Sequence, residues 1–476
     1  MKIFNNIFLG KKILIYGLGK SGISSYKFLK NKSDVYLFDD NQKIKLKLKK
    51  KIIKLEQIQK INFDRIIISP GIDISNCKLS KFLKKNFKKI HTDLDVLFSF
   101  YNNESITITG TNGKSTTAKI LHDALIDQKR DSRLIGNIGN PALSEKNITK
   151  KTIFVIEASS YQLDYSSVFR SKYAVILNIT ADHIERHKSL KNYVNAKFKL
   201  LKSQIRGSFA YVKKEDELIT KKLNKNKYNS KIYRVQTSSI NKKFNKITNK
   251  YFLSDGNKEN LSFILKIAPR LKLNYKKLIK TINKFKGLDF RQQIIFDKKN
   301  LTIINDSKST SFASSENILK NLNDAYWILG GIPKKGDKFK LSKIKCKNIK
   351  AYIFGSHHRK FIKILKNRLK IKNFENLQET LKVIFSAIIS SLQSSIACRV
   401  SGLSHNPEII ASWPASILLA IAISPSRDSR STVPISLRYN LTGSSVFSVP
   451  DFAEGDSSSL SSSLSESSES IISNPT

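Results

Sequence analysis

One ten-residue stretch constrains this chain more than any other: Thr107-Ile108-Thr109-Gly110-Thr111-Asn112-Gly113-Lys114-Ser115-Thr116. Ser105–Thr109 alternates β-branched residues and predicts a strand; a glycine turn follows, and a helix opens behind it. In that arrangement backbone N–H groups cradle phosphate, Lys114 neutralises the outer phosphoryl oxygens and the Ser115 hydroxyl can ligate Mg²⁺. Position 108 is Ile where the general phosphate-loop pattern has Gly, which points to a particular branch of nucleotide binders.

Strand and helix patterns alternate through most of the chain, so the expected fold class is α/β, with layers around mostly parallel sheets. Three blocks are predicted. The first, residues 1–100, has strands at Ile13–Tyr16, Val35–Phe38 and Arg65–Ile68. The second, residues 101–288, has strands at Ser105–Thr109, Thr152–Ile156 and Ala174–Asn178. The third, residues 289–383, has strands at Leu301–Asn305, Ala325–Leu329 and Ala351–Phe354. At its far end the composition breaks. Lys382 is the last lysine, and residues 384–476 carry 28 serines, four arginines and seven acids. That segment reads as an aberrant serine-rich stretch, disordered at least from 457, with a changed reading frame or a fusion near 384 as its source.

The net charge of +48 suggests a nucleic-acid binder, but only 15 of the 85 basic residues are arginine and the lysines are spread evenly. Readers of phosphate and base edges concentrate arginine forks on one face, so no nucleic-acid partner is expected. Cys77, Cys346 and Cys398 are too few and too far apart for a disulfide framework, which points to the cytoplasm. The apolar run Ile409–Ile423 is broken by Pro414 and shorter than the roughly 20 residues that span a bilayer, so no membrane span is expected.

Three further clusters carry chemistry. Gly17-Leu18-Gly19-Lys20-Ser21-Gly22 follows a strand, opens a helix and is trailed by Asp39 and Asp40 after the next strand. Such a turn presents backbone to a diphosphate, and alone it fits a nicotinamide oxidoreductase as well as any other nucleotide binder. Glu157-Ala158-Ser159-Ser160 and Asn178-Ile179-Thr180-Ala181-Asp182-His183 sit where strand ends open onto a crevice. Their carboxylates and imidazole suit Mg²⁺ or Mn²⁺ when phosphate supplies the remaining oxygens. Asn305-Asp306-Ser307-Lys308 and Leu329-Gly330-Gly331 are polar or glycine turns at the ends of predicted strands.

Taken in order, Gly110-Thr111-Asn112-Gly113-Lys114-Ser115, Glu157 with Ser159-Ser160, Asn178-x-Thr180-x-Asp182-His183 and Asn305-Asp306-Ser307-Lys308 resemble the Mur ligases of peptidoglycan synthesis. The opening glycine loop, Ser69-Pro70-Gly71-Ile72, Gly136-Asn137-Ile138-Gly139-Asn140-Pro141 and Leu329-Gly330-Gly331 resemble the branch that adds D-glutamate to UDP-N-acetylmuramoyl-L-alanine. The resemblance covers about residues 10–383. It implies a Rossmann-like first domain for the uridine nucleotide, a central phosphate-loop ATPase and a Rossmann-like third domain, which the composition break would leave incomplete. A monomer is expected.

The activity implied is ATP-dependent: the γ-phosphoryl group activates the alanyl carboxylate as an acyl phosphate, and the amine of D-glutamate attacks it. By resemblance Lys114 stabilises the transferred group, Ser115 and Glu157 hold one Mg²⁺, and His183 helps hold a second. Lys197 matches a lysine that the family carbamylates. Gly110 to Thr116, Asn257, Arg291 and Asp306 are carried over as ATP contacts. Gly17, Gly19, Ser21, Gly22, Asp39, Ser69, Pro70, Gly71, Asn137, Ser159, Lys308, Thr310 and Lys334 are carried over as substrate contacts. The sequence departs from the family twice. The histidine usual beside Asn257 is Gly256 here. The closing Ser-Pro-x-x-x-Ser-x-Asp-x-Phe segment, which seats D-glutamate, has no match after Phe385, so binding with weak ligation is expected. A folate-type ligase of the same superfamily and a nucleotide binder without ligase activity are the alternatives.

Overall fold

Each of the three blocks lays down its own sheet. The computed structural model describes residues 6–41, 52–237, 245–298, 301–309, 311–322, 324–333, 337–387 and 417–423. All of these belong to one compact unit spanning residues 1–425.

The first sheet is parallel, with strands β1 (Lys12–Tyr16), β2 (Asp34–Phe38), β3 (Arg65–Ile68) and β4 (Ile90–His91) in the order β2-β1-β3-β4. The chain leaves β1 toward β2 and returns to the other side of β1 for β3. This reversal opens a crevice at the carboxyl end of β1, the place where ligands enter open parallel sheets. Gly17 stands there with φ of 91°, a conformation that side-chain-bearing residues avoid.

The second sheet is also parallel: β5 (Ser105–Thr109), β6 (Ser132–Gly136), β7 (Ile153–Glu157), β8 (Tyr173–Ile176), β9 (Phe209–Lys213) and β10 (Lys231–Val235), in the order β10-β9-β8-β5-β7-β6. Every residue of β5, β7 and β8 is buried, as helices on both faces of a parallel sheet require. The pleat sorts their side chains. Phe154 and Ile156 join the core on one face, with Ile13 and Ile15 of β1, and Ile153 and Val155 join the core on the other. A reversal beside β5 puts the loops after β5, β7 and β8 around a single crevice.

The third sheet contains β11 (Gln293–Lys298), β12 (Leu301–Asn305), β13 (Ala325–Gly330), β14 (Ile349–Phe354), β15 (Lys370–Phe374) and β16 (Ile417–Ile423), in the order β11-β12-β16-β13-β14-β15. Only β11 pairs antiparallel. The sheet runs on past residue 383, the bound expected for the third domain. A helix runs on over residues 377–387, and β16 fills the middle of the sheet, parallel to β12 on one side and β13 on the other. The physical reason lies in Ile417-Leu418-Leu419-Ala420-Ile421-Ala422-Ile423: a strand flanked on both sides in a parallel sheet reads as an uninterrupted apolar run, without alternation. All nine predicted strands or strand cores recur within a residue or two of their expected bounds.

Candidate functional site

The glycine turn after β5 is fixed from beneath. Gly113 caps the helix Lys114–Ile126 in the left-handed conformation (φ 83°), and a Cβ there would lie 2.0 Å from Asn260 Oδ1. The turn is also tied to the loop after β8. Thr111 N–H donates to Asn178 O (2.9 Å), Asn112 N–H donates to Asn178 Oδ1 (2.8 Å), and Thr180 N–H donates to Thr111 Oγ1 (3.0 Å). Ser115 Oγ donates to Glu157 Oε2 at 2.7 Å, and Asn137 Nδ2 donates to Glu157 Oε1 at 3.0 Å. Glu157 is buried at the end of β7, so these two donors offset the cost of removing its carboxylate from water.

Two lysines flank the turn. Lys114 Nζ donates to Thr111 O at 2.8 Å; burial pushes its amine down, Glu157 opposes that shift and Arg291 adds to it. Lys197 Nζ is fully buried, donates to Gly110 O at 2.7 Å and lies 4.5 Å from the centre of the Tyr193 ring. Burial, with Lys114 nearby, drives its amine well below the usual lysine range. A neutral buried amine is a nucleophile toward small electrophiles rather than a point of positive charge. In its protonated form it would repel a cation.

The metal expectation can be tested on this donor set. Among the described residues no three His, Cys, Asp or Glu side chains gather as a metal cluster. The hydroxyl and carboxylate pair of Ser115 and Glu157 nonetheless fits Mg²⁺, which is commonly held by one or two protein oxygens with substrate phosphates and water completing the octahedron. His183 sits on the loop after β8, half-exposed, with Nε2 3.4 Å from Asp182 Oδ2. Its backbone is left-handed (φ 52°) at the start of the short helix Ile184–His187, an uncommon state for a residue of this size.

A cleft of about 150 Å³ opens beside the turn and is lined by Asn112, Gly113, Asn257, Asn260, Arg291, Asp306 and Lys308 among others. It gathers Asn257, Arg291 and Asp306, more than 140 residues from the turn in sequence. Asn257 donates to Tyr251 O (2.7 Å) and to Gln292 Oε1 (3.0 Å). Asp306 Oδ1 accepts from Gln292 N–H at 3.0 Å, while Oδ2 is buried without a partner, and burial lifts this carboxyl to about 7. Asp306 itself lines the cleft. Gly256 also lines the cleft, and a Cβ there would meet nothing within 4 Å. Thr310 and Lys334 lie outside the described residues, as does everything after Ile423.

In the first domain the glycine loop is tightly made. A Cβ on Gly22 would lie 1.8 Å from Gly17 O, and Ser69 Oγ donates to that same carbonyl at 2.6 Å. Asp39 accepts from Leu18 N–H at 2.5 Å. Gly19 has open space around it, and Gly71 is exposed. Ser21 Oγ donates to buried Asp93 Oδ2 at 2.6 Å. Ser159 uses its side chain to cap the helix Ser160–Tyr165, a role any helix start could require.

Comparison with known proteins decides what this assembly is. Residues 11–91 match the model of the Mur ligase MurD-like N-terminal domain, and residues 108–274 match that of the Mur ligase middle domain. The UDP-N-acetylmuramoylalanine–D-glutamate ligase of Rickettsia felis is 33% identical over 398 residues, covering 79% of this chain and 88% of the relative. That of Rickettsia prowazekii is 32% identical, covering 81% and 91%. The chain belongs to the Mur ligase family.

This Mur ligase is accordingly an ATP-dependent enzyme that forms carbon–nitrogen bonds. Its fold is similar to the MurF ligase of Thermotoga maritima solved in complex with ADP (12% identity, TM-score 0.51, 88% of this chain and 93% of that one). It is also similar to the UDP-N-acetylmuramate–alanine ligase MurC of the same organism (16% identity, TM-score 0.50, 87% and 96%). At such identities the likeness concerns the fold alone. Among its described residues no helix is long and apolar enough to cross a membrane.

Sequence reasoning named Asn178 within a motif but gave it no part in holding the turn, and it assigned no role to Tyr193 or Arg186. Asn178 bonds the turn through backbone and side chain, Tyr193 reaches Thr111 Oγ1 at 3.1 Å, and Arg186 crosses to the first domain. Arg186 was the one with a usable signal, three residues after His183 on the same short helix.

Proposed function

We propose that this Mur ligase joins D-glutamate to the alanyl carboxylate of UDP-N-acetylmuramoyl-L-alanine, with conversion of ATP to ADP and phosphate, in peptidoglycan precursor synthesis. The observation that carries the reading is the likeness to D-glutamate ligases along nearly nine-tenths of their length. The separate glycine loops of the first and second domains, one for each nucleotide, support it.

A carboxylate does not react with an amine because oxide is a poor leaving group. Attack of a carboxylate oxygen on the γ-phosphorus breaks the bond to ADP and creates an acyl phosphate. The amine then attacks the acyl carbon, phosphate departs and the nitrogen loses a proton. Catalysis of this kind is mostly positioning and charge neutralisation. The Gly110–Thr116 turn offers backbone N–H groups to the phosphates, and Lys114 reaches the transferring group once it releases Thr111 O. Asn257, Arg291 and Asp306 seat the adenosine end. Ser115 and Glu157 would hold Mg²⁺, which would neutralise phosphate charge when bound. His183 and a carbamylated Lys197 would hold a second ion; the amine's burial and its lowered proton affinity support that modification, since only the neutral form adds CO₂. Gly17, Gly19, Ser21, Gly22, Asp39, Ser69, Pro70 and Gly71 receive the uridine substrate, and Asn137, Ser159, Lys308, Thr310 and Lys334 are further substrate contacts.

A coupled ADP-release assay with UDP-N-acetylmuramoyl-L-alanine tests the reading. ADP release is expected to require D-glutamate; release that ignores D-glutamate, or requires L-amino acids instead, would overturn it.

A further inference from the structure

The short helix Ile184–His187 carries His183 at its start and reaches the first domain through Arg186. Arg186 Nη1 donates to Gly71 O at 3.3 Å, Nη2 donates to Ile72 O, and Nε lies 3.6 Å from Asp73 Oδ1. Its guanidinium lies 4.7 Å from the centre of the Tyr161 ring, and Nη2 is 3.5 Å from Tyr165 Oη. Only 13% of the side chain is exposed. A planar fork spends its donors on three successive residues of one loop, with an aromatic ring behind it. Lysine, a single point of charge, cannot copy this.

The loop so gripped is not incidental. Ile72 N–H closes a turn onto Ser69 O at 3.0 Å, and Ser69 Oγ donates to Gly17 O, so the grip reaches the glycine loop after β1 in two steps. On the other side, the Tyr161 ring that backs Arg186 also meets His183 (5.2 Å between ring centres) and stacks on His187 (5.4 Å, 21°). His187 in turn bonds Ser160 Oγ at 2.9 Å, in the helix following the Glu157 strand.

The geometry points to Arg186 as a positioning residue: it fixes the Ser69–Asp73 loop against the His183 helix, so that a uridine substrate in the first domain presents its carboxylate in register with the phosphate turn. The inference rests on the proposed substrate. A separate contact joins the same domains: Asp95 accepts from the N–H groups of Ser167, Val168 and Phe169 at 2.8–3.1 Å. Loss of Arg186 therefore leaves the domains attached.

The test measures dissociation constants for UDP-N-acetylmuramoyl-L-alanine and for ATP, and the melting temperature, on wild type, Arg186→Gln, Arg186→Lys and Asp73→Asn. Arg186→Gln should weaken the uridine substrate about tenfold or more, as loss of charge-assisted hydrogen bonds does, and leave ATP affinity within about threefold. Arg186→Lys should recover little of this, and Asp73→Asn should weaken the same ligand by less. Equal loss of both affinities with a lowered melting temperature would make the residue merely structural and overturn the inference, as would full recovery by lysine. A wild type that binds ATP but no uridine substrate would instead overturn the functional reading.

Discussion

Replacing Gly113 by Ala tests whether the phosphate turn is built on contact with Asn260. Two costs follow from the structure. The φ of 83° would hold an L-residue on the left-handed side, at about 1–2 kcal/mol. The new methyl would lie 2.0 Å from Asn260 Oδ1 and 2.8 Å from its Cγ, and Asn260 is 3% exposed with its amide 3.4 Å from Asn257 Oδ1. Forcing that side chain aside in a packed site costs about 1–3 kcal/mol. Gly113→Ala should therefore destabilise the start of the helix Lys114–Ile126 by about 2–5 kcal/mol. In the background of Asn260→Ala the clash has no partner, so the same change should cost only the backbone share of about 1–2 kcal/mol. Native-state hydrogen exchange on peptides covering 114–126 reads these local free energies without requiring the whole chain to unfold in one step. Additive effects in the double variant would refute the reasoning.

Further outcomes follow from other contacts. Gly22→Ala would place a methyl 1.8 Å from the backbone oxygen of Gly17, which cannot swing away, so binding of the uridine substrate should be lost while calorimetry still detects ATP binding. Lys114→Met should abolish phosphate release, with a fall in turnover of about 100-fold or more, and retain the uridine substrate. Because burial raises Asp306 to about 7, the folded chain keeps a proton that the unfolded chain loses near pH 4. Its contribution to stability thus falls as pH rises from about 4 to 7, by at most about 4 kcal/mol, and stays constant above that range. Urea titrations of Asp306→Asn should lack this decline, and parallel pH profiles for variant and wild type would remove the explanation.

Much of this architecture is legible in the sequence because parallel strands with helical crossovers leave a strong local signal. Val35–Phe38, Arg65–Ile68 and Ser105–Thr109 are short apolar or β-branched runs closed by polar turns, and each is a strand or the core of one. Ile417–Ile423 carries an equally clear run, but its serine-rich surroundings draw attention from it, and its pairing between β12 and β13 depends on partners over 80 residues earlier. The candidate site divides in the same way. Gly110–Ser115 is local, and its geometry follows from its residues. Asn257, Arg291 and Asp306 meet the turn only through the packing of two sheets, so resemblance rather than periodicity brings them forward. Arg186 lies close to His183 in sequence, but its partners in the first domain, Gly71, Ile72 and Asp73, are over 110 residues away and two of them are backbone carbonyls, which have no sequence signature.

The claim on which the account turns is that ATP activates the carboxylate itself. UDP-N-acetylmuramoyl-L-alanine labelled with ¹⁸O in the alanyl carboxylate tests it when incubated with ATP, Mg²⁺ and D-glutamate and the released phosphate is examined by mass spectrometry. An acyl phosphate requires one labelled oxygen to leave with each phosphate in amounts matching the amide formed; unlabelled phosphate alongside amide product would contradict the mechanism.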